Sequence, residues 1–278
     1  MKKILVALDL ESPCHNQLVY SLKWADAWQA ELHLLYVYQI PVVSADSFVY
    51  VPDAETLEKL KTSYIIQLQE MAKHAIHETK INCAITIECC YGQAGEQILQ
   101  YAATNQCDSI LMGIQNKNFL SERVLGSTTT YLFRKSQVPV LAIHPESHFV
   151  QLKNILLAYD RKPFSRKDIL KIVAEMCTLF GAHVHVVSIE EELVDFPLLA
   201  ETILADHLDP MPPVHQTSYQ ILQNNSIING LKEYCTHHDI DLITMIPRKH
   251  QLLDRIISES MSKKIAFHAE IPVLAIHE

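Results

Sequence analysis

Pro139-Val140-Leu141-Ala142-Ile143-His144 recurs letter for letter as Pro272-Val273-Leu274-Ala275-Ile276-His277, 133 residues further along the chain. The same offset lays Asp108-Ser109-Ile110-Leu111-Met112 on Asp241-Leu242-Ile243-Thr244-Met245. Near the start of each half, Lys3-Ile4-Leu5-Val6-Ala7-Leu8-Asp9 matches Asn154-Ile155-Leu156-Leu157-Ala158-Tyr159-Asp160 at an offset of 151, and Ala30-Glu31-Leu32-His33 matches Ala182-His183-Val184-His185 at 152. A fixed internal period is the mark of duplication. The change of offset removes about 18 residues from the second copy, between its second and third strands. Two domains follow, 1–146 and 152–278, joined by a short linker at 145–152. At about 150 residues per domain, 278 residues agree with two.

Each half alternates apolar runs of strand length with longer amphipathic segments, the pattern of an α/β domain with a parallel sheet. The first half predicts strands at 3–9, 31–38, 82–90, 108–113 and 138–144, with helices at 14–29, 54–79, 94–105 and 126–135. The second predicts strands at 153–159, 183–189, 215–222, 240–246 and 271–277. Between Glu190 and Pro213 a shorter helix and a turn at Pro210, Pro212 and Pro213 replace the long second helix. The runs Ile4-Leu5-Val6-Ala7-Leu8 and Ser109-Ile110-Leu111-Met112 lack polar alternation, as central strands covered on both faces do. Helix 14–29 sets Leu18, Leu22 and Ala25-Ala27 on one face, with Asp26 and Gln29 elsewhere. The fold class is therefore two tandem doubly wound α/β domains, each a five-stranded parallel sheet flanked by helices.

Composition narrows the function. Hydrophobic residues make up 49% and charged residues 20%, and 32 acidic against 23 basic residues give a net charge of −9. That sign repels phosphate backbones, so nucleic acid is not an expected partner. No apolar run reaches the ~18 residues of a membrane span, and Asp9 and Glu11 cut short the only run resembling a signal peptide. Seven irregularly spaced cysteines predict no disulfide framework, in keeping with a reducing, cytoplasmic location.

Four of the six glycines fall between residues 92 and 126. Gly113 ends the fourth strand, and Gly126 precedes Ser127-Thr128-Thr129-Thr130 at a helix start. A strand, a loop, a glycine and a hydroxyl-rich helix N-terminus can form an anion site, with free N–H groups and the helix dipole aimed at the ligand. In a doubly wound sheet the crevice lies beyond the strand carboxyl ends, where Asp9 and Gly113 stand. The same residues also suit a plain helix cap at Gly126-Ser127 and a turn acid at Asp9.

The pattern Gly113-x-x-Asn116-(nine residues)-Gly126-Ser127, together with Lys3–Asp9, resembles the universal stress protein family, and the whole chain resembles a tandem member. The resemblance implies that Leu8 and Asp9 meet the adenosine of a bound nucleotide and that the Val37 backbone meets the adenine edge. Met112 and Gly113 would approach the ribose and α-phosphate, and Gly126, Ser127 and Thr128 would hold the β- and γ-phosphates. The ligand implied is ATP or another adenine nucleotide, with or without Mg. Asn116 departs from the family's second glycine. Asn tolerates the left-handed region, but its side chain takes up space beside the phosphates. In the second half Ile246, Lys249, Glu259 and Ser260 replace the motif, so that half is not expected to bind ATP, although Arg248, Lys249 and His250 add positive charge. Family members pair through their last strands, which implies pairing of the two identical strands within one chain as a pseudo-dimer, or a homodimer of chains.

Other chemistry is weaker. His237-His238, near Cys235, Asp239 and Asp241, is the densest group of the fifteen histidines, but adjacent helix histidines point ~100° apart and are expected to be solvated. The pairs His33/His185 and His144/His277 recur at equivalent sites, as inherited structural residues do, and His215 has no visible partner. There is no Walker lysine motif. Lys117 and Arg123 lie in the candidate phosphate loop. No catalytic triad can be assembled, so the chain is expected to be a regulatory binder with at most slow ATP hydrolysis. The alternatives are a nucleotide-free scaffold and, more remotely, a metal-dependent hydrolase.

Overall fold

The computed structural model describes residues 1–12, 14–39, 44–45, 48–49, 53–114, 126–160, 169–190, 216–224, 226–247 and 271–277. The chain divides into two compact units, Met1–Gly113 and Ile114–Glu278.

The first unit contains β1 (Lys3–Leu8), α1 (His15–Trp28), β2 (Glu31–Tyr38), the short pair β3 (Ser44–Ala45) and β4 (Phe48–Val49), α2 (Ala54–Thr79), β5 (Ile85–Tyr91), α3 (Ala94–Thr104) and β6 (Ser109–Gly113). Its main strands run parallel in the order β5-β2-β1-β6. The chain thus works outward from β1 in one direction and then crosses back to its other side, which places the switch point between β1 and β6. Residues Ile4–Leu8 are all buried, as the uninterrupted apolar run requires of a central strand. The long α2 begins at Asp53, whose carboxylate accepts the Thr56 N–H at 2.8 Å, and buries Leu68, Ala72 and Ala75 on one narrow face.

Helix α1 is buried far more completely than its sequence pattern predicts. Gln17, Tyr20 and Trp24 are covered along with Leu18 and Leu22, whereas Ala27 is only half-buried. The cause is its packing against both the sheet and α2, so no single stripe defines its core side.

The second unit contains α4 (Ser127–Lys135), β7 (Val140–Ile143), β8 (Asn154–Ala158), α5 (Lys171–Phe180), β9 (His183–Glu190), β10 (Thr217–Gln223), α6 (Ile227–His237), β11 (Leu242–Met245) and β12 (Val273–Ala275). Strands β10-β9-β8-β11-β12 are parallel neighbours, and β7 lies antiparallel beside β12. The two copies of the repeated hexapeptide therefore face each other, Leu141 opposite Leu274 and Ala142 opposite Val273. That ladder joins the last strand of each copy within the second unit. The shortened stretch after Glu190, with Pro210, Pro212 and Pro213, lies outside the described residues.

Duplication extends to side-chain devices. Asp108 Oδ2 accepts the Lys2 and Lys3 amides at 2.6 and 2.9 Å, tying β6 to the start of β1. Asp241, its counterpart, accepts the Lys153 and Asn154 amides at 2.7 and 2.9 Å and ties β11 to β8 in the same way. Each carboxylate satisfies two backbone donors at a strand start.

Candidate functional site

The register of the first sheet brings five of the nine candidate residues to one edge. Ala7 lies opposite Met112 and Leu8 opposite Tyr36, so Leu8, Asp9, Val37, Met112 and Gly113 all stand at the strand carboxyl ends. Gly126, Ser127 and Thr128 form the start of α4 in the second unit. Asn116, Lys117 and Arg123 lie outside the described residues, as do Arg248, Lys249, His250, Glu259, Ser260 and His215.

Asp9 caps its own turn. Its Oδ1 accepts the Glu11 N–H at 3.0 Å and its Oδ2 accepts the Ser12 hydroxyl at 3.4 Å, while the Ser12 amide reaches the Asp9 carbonyl at 3.2 Å. This is an Asx-type turn leading into α1. Cys14 follows it, and burial, reinforced by the Asp9 charge, pushes its thiol up to about 11. It is therefore protonated at neutral pH and is no nucleophile. Tyr36, on the adjacent strand, is pushed up to about 12, first by burial and then by Tyr64, Glu11 and Asp9.

Gln17 is the residue that sequence reasoning missed. It sits in the first turn of α1, is buried, and donates from Nε2 to the Ala7 carbonyl at 2.9 Å. A carbonyl can only accept, so the amide is oriented with Oε1 on the other side, against Gly113. A Cβ on Gly113 would lie 2.7 Å from that Oε1. Gly113 does not have a positive φ, so close approach and not backbone conformation explains the glycine. The next amide, Ile114 N–H, donates to the Ile143 carbonyl at 2.8 Å.

Gly113→Ala should cost about 1–2 kcal/mol, because Gln17 must either yield space or abandon the Ala7 carbonyl. Gln17→Ala in the same chain should relieve about 1 kcal/mol of that strain, a non-additive pair in a urea-denaturation double-mutant cycle. Strict additivity would show that the two residues do not touch.

Gly126 differs. Its φ of −60° and ψ of 158° suit any residue, and among the described residues a Cβ there would meet nothing within 4 Å. Among the described residues neither strain nor packing calls for glycine. Among the described residues no side chain caps the helix; its first turn carries no acid, and Arg134 and Lys135 complement the dipole in its last turn. Ser127 is exposed and Thr128 half-buried. In the second copy, Ile246 stands where Gly113 does and is buried, so its side chain fills the place of the glycine. Asp160 persists at the end of β8.

Among the described residues no three or more His, Cys, Asp or Glu side chains are grouped to hold a metal ion. No described helix is long and apolar enough to cross a membrane. One expectation about the histidines is corrected. His238 is not a solvated helix-end residue but stacks on Tyr234, with ring centroids 3.8 Å apart. No spacing rule could reveal this, because the cluster it joins draws on strand residues some fifty positions earlier.

A family-wide sequence model, described as the universal stress protein family, matches residues 1–144. The chain belongs to the universal stress protein family. Over 62 residues it is 36% identical to Universal stress protein Slr1230 of Synechocystis sp. (strain ATCC 27184 / PCC 6803 / Kazusa), a match spanning 22% of each chain. Its fold resembles a universal stress protein from Archaeoglobus fulgidus DSM 4304, with a TM-score of 0.71, 16% identity, and 99% of this chain and 96% of the other covered. A putative universal stress protein from Pseudomonas aeruginosa UCBPP-PA14 gives a TM-score of 0.61 at 15% identity, covering 100% and 93%. These likenesses show a shared fold, and membership of the family supports a role in the stress response.

Proposed function

We propose that the first half of this universal stress protein binds ATP or another adenine nucleotide as a regulatory ligand, and that the second half does not. The observation that carries this reading is Gly126, a glycine that neither conformation nor packing explains among the described residues, at an acid-free helix start where no described side chain caps. Amides of a first helical turn lack intrahelical acceptors and suit phosphate oxygens. In this assignment Gly126, Ser127 and Thr128 hold the phosphate tail, with Asn116 ten residues before Gly126 in the sequence. Leu8, Asp9 and Val37 meet the adenosine, and Met112 and Gly113 meet the ribose. When bound, the nucleotide supplies an occupied state that can be read by partners, with Mg neutralising phosphate charge where present. The second copy lacks all three glycines, which supports leaving it without ATP. A cytoplasmic location and a pseudo-dimer built on the paired β7 and β12 complete the proposal.

The second reading, a nucleotide-free scaffold acting through protein contacts, is favoured by Gln17 and Asp9. Gln17 already rests on Gly113, and both Asp9 carboxylate oxygens are engaged in their own turn. Calorimetric titration of the full chain with ATP and AMP, with and without Mg, separates the two. One site per chain is the result expected. Absence of heat with every adenine nucleotide at about millimolar concentration, a ΔG of only about −4 kcal/mol, would establish the scaffold.

A further inference from the structure

The duplication supplies an internal comparison at the opposite, amino-terminal edge of the strands. In the first copy His33 Nδ1 on β2 lies 3.0 Å from the Tyr101 hydroxyl on α3, and His33 Nε2 lies 3.5 Å from Glu31 Oε1. Asn105 closes α3 by donating from Nδ2 to the Tyr101 carbonyl at 3.0 Å. In the second copy His185 and Tyr234 repeat the pair at 2.9 Å. Two neighbours have changed. His183 stands in the place of Glu31, and His238 in the place of Asn105, where its Nδ1 donates to the Tyr234 carbonyl at 3.0 Å. The His183 and His185 rings are 4.7 Å apart, and the His185 and His238 rings 5.7 Å. Three imidazoles thus meet where the first copy has one imidazole with a carboxylate and an amide.

Hydrogen bonding fixes the neutral tautomer of His185. Asn154 on β8 donates from Nδ2 to the Asp239 carbonyl, leaving its Oδ1, which can only accept, 3.3 Å from His185 Nε2. Nε2 therefore carries the proton, and Nδ1 accepts the Tyr234 hydroxyl. A second proton must enter at Nδ1, against a donor already pointing there. The groups around His185 are His183 on its own strand, Asn154 on β8, and Tyr234 and His238 on α6 and its C-cap. Ser218 on β10 engages His183 Nε2 at 3.1 Å. Asp241 is turned to the Lys153 and Asn154 amides. Among the described residues the charges acting on His185 are those of His183 and His238, both cationic when protonated.

We propose that the His183–His185–His238 cluster is an acid-responsive latch of the second half. Its protonation drives the α6 terminus from β9, while the matching α3–β2 contact of the first half stays closed. Burial, then His183 and His238, lowers the His185 pKa from 6.5 to about 4. The folded state thus binds fewer protons than the unfolded one between those values. Stability is complete above the unfolded value and is lost as pH falls through the window toward the folded one. This inference does not rest on nucleotide binding.

The test is hydrogen–deuterium exchange of the full chain, corrected for intrinsic pH dependence, at about pH 7.5 and about pH 5, which straddle the histidine range. Protection of α6 is expected to fall about tenfold at the lower pH, while that of α3 changes less than about twofold. The variant His183→Glu/His238→Asn, which copies the first half, is expected to keep α6 protected at the lower pH. Equal loss in α3 and α6 of the unsubstituted chain would overturn the latch, and that comparison needs no variant to fold. A folded variant whose α6 opens as before would overturn it too.

Discussion

Gly126→Glu is expected to lower ATP affinity by about a thousandfold while leaving the circular dichroism spectrum and urea midpoint unchanged. The two expectations have separate causes. A glutamate Cβ meets no described atom within 4 Å, and the φ and ψ of Gly126 accept any residue, so the described structure imposes no strain on the substitution. A carboxylate about 4 Å from a phosphate oxygen repels it by ~4 kcal/mol at an effective dielectric of 20. That exceeds the 0.3–1 kcal/mol or so that a helix terminus typically contributes. The second half carries a glutamate, Glu259, at the matching sequence position, so the substitution makes the first half imitate the second. Undiminished ATP affinity by calorimetry in a correctly folded Gly126→Glu chain would remove the phosphate site from α4.

The largest effect on stability is expected from Trp24→Ala, a loss of about 3–5 kcal/mol. Trp24 is fully buried in α1, with the Tyr20 ring 6.3 Å and the Trp28 ring 6.2 Å away. Because α1 is covered by both the sheet and α2, the vacated volume has rigid walls and cannot readily collapse. Denaturation by urea is the measurement. A loss below about 1 kcal/mol would place Trp24 outside the core, since typical surface substitutions fall within about half that value. Under the proposed nucleotide binding, ATP should raise the midpoints of the Trp24→Ala chain and of the parent alike, because linkage depends on ligand affinity and not on the starting stability.

These two residues differ in how far the sequence announces them. Gly126 can be found by reading along the chain, because glycine before a run of hydroxyl residues is a local signal. Trp24 belongs to a helix whose apolar residues form no clean stripe, and only the neighbouring α2 explains its burial. The strand order and the pairing of repeated strands lie between these cases. Hexapeptide identity marks Val140–Ile143 and Val273–Ala275 as equivalent edges, but their antiparallel register, Leu141 on Leu274, is a fact of assembly.

The candidate site shows the same division. The sequence pointed to Asp9 and Gly113 at the strand ends, and both are there. It did not reveal Gln17, the side chain against which Gly113 packs, because a glutamine in the first turn of a helix looks like a surface residue. Nor did it reveal the imidazole cluster, whose members are separated by some fifty residues.

From its letters alone this chain declared a duplicated α/β architecture, its main strands, the helices of its first half and, through the resemblance of its motif, its family, because periodicity, repeats and motifs are local properties. Which groups touch was decided only in three dimensions. Gln17 reaches Gly113 because the β1–β6 register brings the strand ends under α1, and His238 reaches His185 because α6 ends over β9. Such contacts depend on crossover geometry and register, which no single segment encodes.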